Sequence, residues 1–205
     1  MKQLFLAFVF IISSANTYAD VFLELGFESG DETLIKTDAS FDDGYEPSDD
    51  IDAGGGIKIA IGYQHFLREN KNRSLSFIIG ELSEDADDDS VDAEYEVKTF
   101  DVIYNRYSSS SYSSKYNVKY VYQTGAGITY HVDPEYSEKS NGVSTSTNYD
   151  DSLGLVFLVS TNIAITGVRY GIKLTLMEYE VEGKNVDANS VGFFITFGQD
   201  SLDPD

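Results

Sequence analysis

The sequence predicts an all-β protein, an eight-stranded antiparallel up-and-down transmembrane β-barrel. Three observations carry that expectation. Eight stretches alternate apolar and mixed residues with the two-residue period of a strand. Their apolar faces stay almost free of charge for the depth of a bilayer, while their mixed faces collect glycines and charges of both signs. Beyond the N-terminal run, no stretch approaches the roughly 20 apolar residues that a membrane helix needs, so a chain of this kind spans a membrane only as a closed barrel.

Composition narrows the field further. The 205 residues suit one domain, and the absence of cysteine excludes disulfides and thiolate chemistry. Tryptophan is absent too, but 15 Tyr and 13 Phe suit strands and membrane-interface belts. Two histidines, His65 and His131, leave little for a histidine-rich metal site. The N-terminus reads as a signal peptide over residues 1–19: Lys2, an apolar core from Leu4 to Ile12, and the small residues Thr17 and Ala19 at the −3 and −1 positions of a cleavage site. The mature chain would begin at Asp20, with the barrel domain over 20–198 and a polar tail over 199–205. Its charge, near −22, repels phosphate and argues against nucleic acid.

The first strand is expected over Asp20 to Glu28, with Val21, Leu23, Leu25 and Phe27 on one face. Ser29 to Asp52, with nine acidic residues, reads as a long exposed loop. Ala53 to Gln64 resumes the alternation with Ile57, Ile59, Ile61 and Tyr63. His65 to Ser74 is a short cationic turn, and Leu75 to Leu82 the third strand. Ser83 to Tyr95 reads as a second acidic loop with seven carboxylates. Glu96 to Tyr107 is the fourth strand, followed by a Ser-rich turn over Ser108 to Ser114. Tyr116 to His131 is the fifth and longest, and Val132 to Asp151 a polar loop. Ser152 to Ser160 is the sixth, and a tight turn near Thr161 and Asn162 leads to the seventh, Val168 to Tyr179. Glu180 to Asn189 is a short loop, and Ser190 to Gly198 the eighth strand.

Charge separates the two rims. The four long connections hold 24 of the 35 acidic residues. The short turns and their flanks hold Arg68, Lys71, Arg73, Arg106 and Lys115. Period alone leaves open a soluble exported barrel with its faces reversed. An uncharged apolar band on eight successive strands favours lipid outside.

VFLELGFESG, AGGGIKIAIGYQ, GAGITYHVDPEY, DDSLGLVF and DANSVGFFITFG resemble the successive strands of small Gram-negative outer-membrane barrels, the OmpA/OmpW/OmpX-like eight-stranded family. The resemblance covers nearly all of the mature chain. Val191 to Phe197 also resembles the C-terminal assembly signal of such proteins, with eight residues following it. The resemblance implies residence in the outer membrane as a monomer. It also implies contact with outer-membrane lipid and lipopolysaccharide, and handling by the barrel-assembly machinery.

Three candidate sites follow. Glu24, Lys58, Asp101, Arg169 and Lys173 fall on the mixed faces and would form a lumen charge network, either a gate on a narrow ion path or a salt-bridge plug. Asp85, Asp87, Asp89 and Glu96 match positions 1, 3, 5 and 12 of a calcium loop. Ser90 stands where the turn needs glycine, and the flanks read as strands, so the expectation is a solvated loop or loose binding of Ca2+ or Mg2+. His131 could serve as a catalytic base, yet no spacing fixes a nucleophile beside it. The expected role is non-enzymatic, structural or surface-interacting, without a resident cofactor. A narrow porin or small-hydrophobe channel and a lipid-modifying enzyme are the alternatives.

Overall fold

The computed structural model describes residues 19–30, 51–67, 72–88, 91–111, 119–140, 143–162 and 167–199. Among them lie eleven strands and no helix. They are β1 (Ala19–Gly30), β2 (Gly56–Phe66), β3 (Arg73–Asp88), β4 (Val91–Ser111), β5 (Lys119–Ser140), β6 (Val143–Asn148), β7 (Ser152–Asn162), β8 (Gly167–Leu176), β9 (Glu178–Val181), β10 (Lys184–Asp187) and β11 (Ser190–Gln199). Eight of them close a cylinder. Each of β1, β2, β3, β4, β5, β7, β8 and β11 pairs antiparallel with the next, and β11 returns to β1. Closure leaves no open edge around the barrel wall, the arrangement that lets strands cross a bilayer with their backbone groups satisfied.

The alternation sets the faces. Val21, Leu23, Leu25 and Phe27 point out of β1, with Phe27 59% exposed. Ile57, Ile59 and Ile61 do the same on β2, and Leu153, Leu155, Phe157 and Val159 on β7. The interior takes the other parity: Glu24 is 1% and Asp101 2% exposed. This inside-out distribution is that of a transmembrane β-barrel: isoleucines this exposed would be costly in water.

Three expected loops are hairpins instead. The acidic stretch over Ser83 to Tyr95 continues β3 and β4, with Asp85 opposite Glu94 and Ala86 opposite Ala93. Most of the stretch after Val132 is also paired, as the upper half of β5 with β6. The segment after Glu180 forms β9 and β10, turned by Glu182 and Gly183, both at positive φ as a two-residue hairpin turn demands. The expected seventh strand therefore breaks at Met177, whose N–H donates to the Asn189 side chain. Tyr95, Tyr136, Tyr149 and Tyr179 explain the discrepancy. They meet with Leu82, Val97 and Met177 in a buried cluster beyond the lipid-facing band. High charge on the outer face of a strand marks exposure, not irregularity, and the buried tyrosines on the other face hold the pairing. Residues 1–18, 31–50 and 200–205, which carry the expected signal peptide, most of the first acidic loop and nearly all of the tail, lie outside the described residues.

Candidate functional site

The lumen is stacked in tiers, each fixed by how far along its strand an inward residue sits. Nearest the short turns lies a neutral polar tier. Gln64 donates to Ser74 Oγ at 3.0 Å and is bonded to the Tyr107 hydroxyl. Asn105 donates to Ser76 Oγ at 2.8 Å and accepts from Gln123 Nε2 at 2.8 Å. Gln123 Oε1 in turn accepts from Ser160 Oγ at 2.8 Å and from Arg169 at 2.7 Å. An apolar collar follows, made of Phe22, Ala60, Ile78, Ile103, Val156, Leu158 and Phe194.

Beyond the collar is the charge tier. Lys58 Nζ meets Asp101 Oδ2 at 3.0 Å, and Lys173 Nζ approaches the same oxygen at 3.6 Å. Lys173 also pairs with Glu24. Thr129 donates to the other Asp101 oxygen at 2.6 Å. All four charged side chains are at most 3% exposed. Two cations therefore share two carboxylates, and each carboxylate oxygen of Asp101 has a donor. Buried charges are tolerated in that condition and rarely otherwise. Lys173 also lies 5.5 Å from the centre of the Phe194 ring, so the collar below contributes a cation–π contact.

A tyrosine tier caps the stack. The Tyr95 and Tyr179 hydroxyls are 2.5 Å apart, and His131 Nδ1 is 2.7 Å from the Tyr179 hydroxyl. Burial holds both phenols above their ordinary pKa. Glu28, which accepts from Ser190 Oγ at 2.7 Å, adds a negative charge nearby in the same direction.

Four of the five residues expected in the charge network meet in one tier. Arg169 does not. It stands four residues before Lys173 on the same face of β8, about 13 Å nearer the turns at strand rise. Its charge rests on the Gln123 carbonyl and on the Tyr107 ring at 5.1 Å, and no carboxylate among the described residues pairs with it. Parity gives a residue's face but not its height, and that is why the five read as one network. The amides Gln64, Asn105 and Gln123 were legible as inward by the same parity. Tyr95 ends the acidic stretch over Ser83 to Tyr95, where local composition masks its inward parity.

The candidate cation loop is a strand hairpin. Asp85 and Glu96 sit on its outer face, Asp87 lies within β3, and Asp89 lies outside the described residues. Glu96 is raised in pKa by the neighbouring Glu94 carboxyl, with burial and the charges of Glu135 and Asp85 acting the same way. Ca2+ and Mg2+ are held by oxygens drawn around one centre. Among the described residues no group of three or more acidic or histidine side chains converges on one centre.

The closed ladder and the filled lumen define a class: an eight-stranded transmembrane β-barrel. No family model matches the chain, and no curated protein matches it either. Solved structures do share its outline. The attachment invasion locus protein Ail of Yersinia pestis, solved with the heparin analogue sucrose octasulfate, is 9% identical, with 88% of this chain and 95% of that one covered and a TM-score of 0.46. Neisserial surface protein A is 13% identical over 87% and 96% of the two chains, with a TM-score of 0.47. The N-terminal β-barrel domain of Pseudomonas aeruginosa OprF is 12% identical over 87% and 96%, with a TM-score of 0.38. The assignment of class rests on this chain's own register and faces.

Proposed function

We propose that the protein is a bacterial outer-membrane barrel whose closed lumen makes it a rigid, non-conducting and non-enzymatic scaffold for the hairpins it carries outside the cell. The observation behind this reading is the order of the tiers. The ion pairs are bracketed by the apolar collar on one side and the tyrosine cluster on the other. An ion on the barrel axis would have to cross the apolar collar and the packed tyrosine cluster and part Lys58 from Asp101. The glycines of the interior support the same reading, since a methyl group added at Gly125 would lie within 3 Å of Asn105, Ile103 and Leu158. His131 is engaged with Tyr179 inside the barrel, which favours a structural imidazole over a catalytic base. The hairpins carry outward carboxylates at Asp85, Glu94, Glu96 and Glu135, so their exposed surface suits a surface-interaction role with cationic partners.

Planar-bilayer recording tests the plug. The wild-type barrel is expected to insert without stable current steps. Reproducible single-channel steps that change in Asp101→Ala would sink the plug and favour a gate.

A further inference from the structure

The outer face of the barrel carries one feature that the plugged lumen leaves unused. Arg73 on β3 and Arg106 on β4 are direct cross-strand partners. Both are exposed and have the outward parity of Leu75 and Tyr104. Directly opposed side chains on a sheet stand about 5 Å apart at Cβ, and like charges so placed repel. Among the described residues, neither arginine has a carboxylate partner. Two guanidiniums held side by side call for a shared anion, and phosphate is the group their donors fit.

The surroundings say which phosphate. The next row of the ladder toward the bilayer centre reads Leu75, Tyr104, Ala126 and Phe157. Arg106 itself faces Thr124, which faces Val159. Ala126 is therefore a low point between two exposed aromatics, Tyr104 at 42% and Phe157 at 41%. Tyr122, 47% exposed, stands one row from Thr124 along β5. The arginines thus sit where the lipid-facing apolar band ends at the short-turn rim, with the gap over Ala126 in the next row of the ladder. Tyrosine beside cation at that level is the pattern of a headgroup zone. The acidic connections belong to the opposite rim, across an apolar band about 25 Å tall, and screening over a Debye length of about 8 Å separates the two fields.

We infer that Arg73 and Arg106 form a binding site for the phosphate of one anionic phospholipid in the leaflet facing the short turns, with an acyl chain lying over Ala126 between Tyr104 and Phe157. The inference rests on the membrane-barrel reading of the preceding section. A chain of net charge −21 that selects an anionic lipid must do so at a local site.

The test is native mass spectrometry of the full chain released from nanodiscs of phosphatidylcholine with a minor fraction of phosphatidylglycerol. The wild type is expected to retain phosphatidylglycerol about tenfold over its share, the ratio that one charge-assisted contact of about 1.4 kcal/mol supplies. R73Q/R106Q, with folding checked by heat-modifiable gel mobility, should lose the enrichment. R106Q alone should reduce it and serves if the double variant does not fold. Lys98→Gln, on the other rim, should leave it unchanged. Excess soluble glycerol phosphate should not displace the lipid, and displacement by it would overturn the lipid assignment. Equal enrichment in wild type and R73Q/R106Q overturns the site and leaves the membrane reading intact. A wild type soluble without detergent and unable to enter nanodiscs overturns both.

Discussion

The two polar tiers of the lumen bury cations by different means. In the charge tier, Lys58 and Lys173 face Asp101 and Glu24 and are neutralised by opposite charge. In the turn-side tier, the direct contacts of Arg169 are neutral, the Gln123 carbonyl and the face of Tyr107, and the Asp20 carboxylate acts on it only at longer range. A compact ammonium has a strongly hydrated point charge to replace, and carboxylates do that well. A guanidinium spreads its charge over a plane, so amide oxygen and an aromatic face suffice. The collar between the tiers keeps their charges apart.

That difference predicts unequal costs when one acceptor is removed. Asp101→Ala leaves Lys58 without its carboxylate and Lys173 with Glu24 alone. The expected loss is about 3–5 kcal/mol, the range for breaking a buried ion pair from one side. Urea unfolding in micelles, followed by tyrosine fluorescence, measures it. Gln123→Ala strands Arg169, Ser160 and Asn105, but each of these groups is singly affected and Tyr107 remains. A loss of about 2 kcal/mol is expected. If Gln123→Ala costs as much as Asp101→Ala, the two tiers are not distinct in kind.

How much of this was legible in the sequence follows from what a period of two can encode. The eight wall strands and their outward faces rest on local alternation, as in Ile57, Ile59 and Ile61, and a single strand displays it. The inward status of Glu24, Lys58, Asp101, Arg169 and Lys173 follows from the same parity. Their grouping does not, because it depends on strand stagger, which only the closed ladder sets. The hairpin over Asp85 to Glu94 is not legible for another reason. Its carboxylates suggested a loop, while the partners that order it, Tyr136, Tyr149 and Tyr179, come from distant parts of the chain. Tertiary burial outweighed local composition there.

The collar between the tiers can be probed at Gly62. The ring of its cross-strand partner Phe22 lies across it, and a methyl group there would fall 2.1 Å from the ring. An aromatic folded over a strand glycine in this way closes the gap the glycine leaves. Gly62→Ala is expected to cost about 1–2 kcal/mol by overpacking. Phe22→Leu should relieve much of that cost, so the double variant will be less destabilised than the sum of the two single ones. Strict additivity would mean that the collar is loose enough to be wetted, which would also weaken the case for a closed lumen.

The smallest effect concerns the tyrosine tier, which should make the barrel sensitive to alkali. Folded Tyr95 and Tyr179 have raised pKa values, chiefly through burial, and stay protonated where unfolded phenols near pKa 10 begin to ionise. Between those values the unfolded chain binds fewer protons than the folded one, so stability falls as pH rises past about 10. The contribution is constant below that point. Each tyrosine accounts for about 1 kcal/mol of the loss by pH 10.5–11, from the limiting slope of one proton per phenol. Unfolding midpoints of wild type and Tyr95→Phe, taken from pH 8 to 11, check this. The variant loses one hydroxyl contact at every pH but should show a shallower decline above pH 10. Parallel curves would mean that Tyr95 ionises as readily in the barrel as in the open chain, and hence that water reaches the cap of the lumen.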